Sequence, residues 1–123
     1  SHGVGLGLKF LKHLRRCRLL FQIVDVAEQV SVAQLQVNVE ALLQEMTNFD
    51  AKLAAWPRWL ILNKIDLLNE AQRLAIQDEL IRRLNWQGKV FCVSALSGAG
   101  CASLMYQIMQ YIEALSEHEN AAE

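Results

Sequence analysis

Asn63-Lys64-Ile65-Asp66, at the end of the apolar run Arg58-Trp59-Leu60-Ile61-Leu62, is the stretch of this chain best equipped for selective chemistry. A carboxylate on a short loop accepts two hydrogen bonds at once, so Asp66 can take both N1–H and the exocyclic amine of a guanine. Adenine offers an acceptor at N1 and no amine beside it. Two charge-assisted bonds of about 1.5–3 kcal/mol each would give roughly 3–6 kcal/mol of discrimination in a site closed to water. An Asn at position 63 can bridge base N7 and neighbouring backbone. The butyl stem of Lys64 can cover one purine face while its ammonium braces a phosphate loop, and Ile65 is expected to point inward as packing.

These residues need a strand before them and a helix after them, and the flanking pattern supplies both. Residues 19–24, ending at Asp25, and residues 58–62 read as strands covered on both faces, and residues 89–93 as a third short strand. Between them, Ser31 and Gln34 have capping-box spacing ahead of a helical stripe of Leu35, Val39, Leu42, Leu43 and Met46. Residues 48–55 read as an irregular connection, and Pro57 opens the next strand. Asn69 and Gln72 repeat the capping spacing before Leu74, Leu80, Ile81 and Leu84, with a stop near Gly88. An opening helix carries Leu6, Phe10, Leu11 and Leu14; a closing helix carries Leu104, Ile108, Ile112 and Leu115. Alternating helix and strand predicts an α/β fold with three parallel strands, about four helices and right-handed crossovers. Ligands on such sheets bind beyond the carboxyl ends of the strands, where residues 63–66 and Ser94-Ala95-Leu96 leave them.

Composition bounds the function without choosing it. The 123 residues, 53% apolar, suit one domain, residues 1–116, with a polar tail at 117–123 expected to be disordered. A net charge of −1 argues against a strongly electrostatic partner surface, and Lys9, Lys12, Arg15, Arg16 and Arg18 interleave with apolar residues as a solvated helix face would. Cys17, Cys92 and Cys101 form no Cys-x-x-Cys pair and read as reduced structural thiols in a cytoplasmic protein. His2, His13 and His118 have no ligand spacing. No run is long and apolar enough for a membrane span, so no membrane partner is expected.

Taken together, the motifs resemble one family, the Obg GTPases, bacterial G proteins associated with large-ribosomal-subunit assembly. The likeness runs from Gly3 to about Ile112 and rests on the opening residues 3–14, on residues 18–25, on Pro57 to Leu68 and on Val93-Ser94-Ala95. It implies a guanine-nucleotide site (GTP or GDP) in which Asn63, Lys64, Asp66, Ser94, Ala95 and Leu96 hold the base. Ala95 would give its backbone N–H to guanine O6, and the Ser94 hydroxyl would steady the Asp66 carboxylate. Leu96 stands where many G proteins have Lys. The same resemblance implies GTP hydrolysis and Mg²⁺ in the complete parent protein and the large ribosomal subunit as partner. Its phosphate and magnesium machinery is expected before the point where this chain begins: the 123 residues contain no Gly-x-x-x-x-Gly-Lys-Ser/Thr, and Gly3-Val4-Gly5-Leu6-Gly7 reads as a helix-entry turn. The chain is thus expected to be the carboxyl-terminal half of a P-loop-NTPase G domain lacking the P-loop strand, and inactive by itself as a hydrolase.

Two other readings compete. A non-catalytic α/β interaction module derived from a G protein would share the fold and need no guanine. A flavin or dinucleotide fold would need a glycine-rich turn after the first strand, and residues 26–30 contain no glycine. In the G-domain arrangement the first strand is left with a bare edge, so self-association through that edge, exchange of elements or marginal stability is expected.

Overall fold

The computed structural model describes residues 17–27 and 31–122. The opening helix and glycine turn expected before residue 17 lie outside them. The chain divides into two compact units, one of them Leu19–Cys101, and the other containing residues from Ala102 onward.

In the first unit, three strands, β1 (Leu20–Asp25), β2 (Arg58–Asn63) and β3 (Val90–Cys92), form an all-parallel sheet in sequence order. The helices linking them are α1 (Val32–Phe49), the single turn α2 (Ala51–Ala54) and α3 (Glu70–Leu84). This is the expected α/β class with a three-stranded parallel sheet. β2 is central: Trp59, Leu60, Ile61 and Leu62 are all buried, as a strand covered on both faces requires. Full burial of each such side chain contributes about 1.5–3 kcal/mol. Leu60 and Leu62 join Leu35 and Val39 of α1 and Leu80 of α3 in the core, with Val24, Val90, Ile76 and Leu84 packed around them. The opposite sheet face carries a row of rings, Phe21 against Trp59 and Trp59 against Phe91.

Local signals place most boundaries. Ser31 caps α1 by accepting from the Gln34 backbone N–H, but Gln34 turns its side chain to Asn38, so this is a simple cap and not the expected box. At Asn69 the box is complete, with Asn69 and Gln72 each accepting the other's backbone N–H. Asp50 caps a helical turn, α2, where an irregular connection was expected. α3 ends at Asn85 in the left-handed conformation, three residues before the glycine expected to stop it. Leu80 and Leu84 of its expected stripe face the core and Ile76 joins them, while Leu74 is exposed. Leu42 of α1 is likewise exposed.

The last helix, α4 (Cys101–Ala122), lies in the second unit from Ala102 onward and buries Ile112, with Leu104, Ile108 and Leu115 partly covered. Its backbone is helical through residues 117–122, where a disordered tail was expected. The helix outlasts its apolar stripe because Glu117, Ala121 and Ala122 are good helix formers. No helix among the described residues is long and apolar enough to cross a membrane.

Candidate functional site at the carboxyl ends of the strands

Parallel register brings the polar residues together. Asp25 pairs with Asn63 across β1 and β2, so the two side chains emerge side by side at the carboxyl end. Asn63 Nδ2 donates to Asp25 Oδ1 at 3.1 Å, and its Oδ1 accepts the Ala95 backbone N–H at 3.1 Å. One amide therefore ties the end of β1 to the loop after β3. With a donor required on one side and an acceptor on the other, its orientation is fixed.

Lys64 follows in the left-handed conformation, φ 70° and ψ 31°. A non-glycine residue held there stores about 1–3 kcal/mol, which the surrounding bonds must offset. The bend starts a 3₁₀ turn, Ile65–Leu67, closed by Leu67 N–H to Lys64 O and Leu68 N–H to Ile65 O. Ile65 packs against the core as expected, and its N–H reaches Val93 O at 3.3 Å, tying this turn to the end of the third strand. Lys64 Nζ meets Asp25 Oδ2 at 3.2 Å, both side chains about half exposed.

Ser94 is fully buried and donates from Oγ to Asp66 Oδ1 at 2.8 Å, while the Ser97 N–H donates to the same Oγ at 3.1 Å. The hydroxyl is thus satisfied on both sides and holds the exposed carboxylate in one orientation. No described residue donates to Asp66 Oδ2, and each carboxylate oxygen carries two lone pairs. The loop folds back on the strand it leaves: a Cβ at Gly100 would collide with the Cys92 carbonyl, and Gly100 sits at φ 75°, so only glycine fits. Cys101 Sγ donates to Ser94 O at 3.6 Å, and Cys92 Sγ to Gln77 Oε1 at 3.0 Å, so both act as packed thiols.

Asn63, Lys64, Asp66, Leu67, Ala95 and Leu96 line one pocket of about 570 Å³, a volume in the range of small-molecule sites. All the residues expected at the site are therefore together: five line this pocket, and Ser94 lies directly behind Asp66. Leu96 is 88% exposed and Leu67 54%, two apolar side chains flanking a carboxylate with nothing over them. Ala95 N–H, expected to donate to guanine O6, is donated to Asn63 Oδ1. Asp25 ends β1, as its place in the sequence suggests, and from there it bonds both Asn63 and Lys64. Its only advance signal was its place at a strand's carboxyl end. Among the described residues no group of three or more His, Cys, Asp and Glu side chains is placed to hold a metal ion. No protein-family model matches the chain.

Proposed function

We infer that the loops after β2 and β3 recognise guanine and form the base-reading half of an Obg-like, GTP-binding G domain. The observation that carries this is the Ser94 Oγ to Asp66 Oδ1 bond of 2.8 Å, which orients an otherwise exposed carboxylate. A carboxylate held still before the ligand arrives loses less entropy on pairing with N1–H and the exocyclic amine. Its remaining lone pairs suffice for both bonds. Leu96 and Leu67 supply apolar contact for a flat ring, and the Lys64 stem can close over it from β2's side. Guanine O6 would take the Ala95 N–H from Asn63, or share it, so binding includes a small adjustment of that amide.

In this reading hydrolysis, Mg²⁺ and association with the large ribosomal subunit belong to the cytoplasmic parent protein. The 123 residues contribute base specificity. Titration with guanosine and adenosine, followed by the amide resonances of Asp66 and Ala95, tests it: guanosine shifts both to saturation and adenosine does not. Equal response to the two nucleosides, or none to guanosine, would leave a G-protein-like interaction module as the better description.

A further inference from the structure

We propose that the opposite, amino end of the sheet is a second binding site, for a small planar aromatic anion gripped by Arg58. A cleft of about 610 Å³ opens there between the start of β2 and the turn after α3. Trp56, Arg58, Trp59, Asn85, Trp86 and Lys89 are among its lining residues, and none of the lining residues is acidic. In a chain of net charge −1, this concentrates two cations and three indoles in one concavity.

The decisive feature is how Arg58 is held. Gln22 is 2% exposed, and burying a primary amide is costly unless its hydrogen bonds are satisfied. It donates from Nε2 to Val39 O at 3.1 Å and accepts from Arg58 Nη1 at 2.6 Å on Oε1. The buried amide thus aims a guanidinium into the cleft. Arg58 lies over the Trp86 ring, 4.8 Å from its centroid, and partial burial pulls its pKa below the usual arginine value. No carboxylate pairs with it among the described residues. A partly buried, oriented fork of N–H donors without a carboxylate partner matches the two oxygens of a phosphate or carboxylate.

The walls are set with equal care. Trp86 Nε1 donates to Lys89 O at 3.2 Å, fixing the indole across its own turn. A Cβ at Gly88 would collide with the Arg58 carbonyl, so glycine there lets the turn close against the start of β2. Lys89 Nζ sits 5.2 Å from the centre of the Trp59 ring, at the cleft's other side. With Trp86 covered by Arg58 and Trp59 buried, Trp56 is the indole left half-exposed in the cleft, and a flat ring packed on it with its acid on Arg58 satisfies both halves of this surface.

Adenosine monophosphate and benzoate distinguish the two acids, with adenosine and inorganic phosphate as the separate halves. The readout is the indole N–H resonances of Trp56 and Trp86. At least one acid gives saturable shifts, and if it is the nucleotide, it binds about tenfold or more tightly than either half, the gain one charge-assisted contact supplies. Response to the nucleotide alone identifies phosphate, and response to benzoate identifies carboxylate. Arg58→Gln weakens the active probe about tenfold; if that variant does not fold, Lys89→Gln, at an exposed position, weakens it several-fold with an unchanged far-UV spectrum. Shifts that saturate with neither acid, equal saturable shifts from adenosine and its monophosphate, or unaltered affinity in the folded variant would overturn the site.

Discussion

The two ends of the sheet use the same device with opposite charge. Gln22 and Ser94 are the buried polar residues among those described, one at each end, and each is bonded to a charged side chain that reaches toward solvent. At the carboxyl end Ser94 orients the carboxylate of Asp66. At the amino end Gln22 orients the guanidinium of Arg58. Between them the strand interiors are apolar, with Leu60 and Leu62 at the limit of burial. The ends differ in what else is supplied. At the carboxyl end the polar groups satisfy one another across three chain segments, Asp25, Asn63 and Ala95, and the apolar contact comes from exposed leucines. At the amino end the apolar contact is aromatic and the charge has no acidic partner among the lining residues. A buried polar residue is therefore informative here through the charged group it aims.

The comparison breaks most visibly at Gln22. Gln22→Leu keeps the volume but leaves Arg58 without its acceptor and the Val39 carbonyl without its side-chain donor. It should cost about 2 kcal/mol in urea-induced unfolding followed by circular dichroism. If the loss comes from the stranded guanidinium, the double variant Gln22→Leu/Arg58→Leu is less destabilised than the sum of the single changes. Additive losses would mean that Gln22 stabilises α1 through Val39 alone. Ser94→Ala should cost slightly less, about 1–2 kcal/mol, because Asp66 is exposed and can turn to water. That variant also loses preference for guanosine over adenosine, whereas Gln22→Leu keeps it. A Ser94→Ala protein with full guanosine selectivity would show that the hydroxyl serves only the loop, through the Ser97 N–H.

The sheet and the loop pair were legible in advance because each rests on local signals. The buried run of β2, the capping residues Ser31 and Asn69, and the spacing of residues 63–66 are all read within a few positions. What was not legible depends on register and rotamer. The contact of Asp25 with Asn63 joins residues 38 apart and exists because β1 and β2 pair with those two residues level. Gln22 meets Arg58 across the same strand pair, and nothing local marks a glutamine inside an apolar run as buried. Leu74 lies outside the inward face and Ile76 within it, because the neighbouring helix sets where that face ends. The Ala95 N–H bond depends in the same way on the rotamer of Asn63.

Asp25 sharpens the comparison further, since it is the carboxyl end's own ion pair. Asp25→Asn retains an acceptor for Asn63 and removes the charge facing Lys64. A pair this exposed contributes about 0–1 kcal/mol, so the unfolding midpoint should hardly move. Guanosine affinity should fall a few-fold if the pair keeps Lys64 beside the base site, and Lys64→Ala should give a similar fall with no additional loss in the double variant. Independent losses would assign Asp25 to Asn63 rather than to Lys64.

The smallest expected effect on stability is at Leu96, and it isolates binding from folding. With the side chain 88% exposed, Leu96→Ser removes almost no buried surface and should leave unfolding within about 0.5 kcal/mol of the parent. If the side chain provides apolar contact for a purine, guanosine and adenosine both lose a few-fold in affinity while their ratio is preserved, because the ratio is set by Asp66. A changed ratio would place Leu96 in base selection. An unchanged affinity would move the purine's apolar contact to Leu67 and the Lys64 stem, which lie on the other loop.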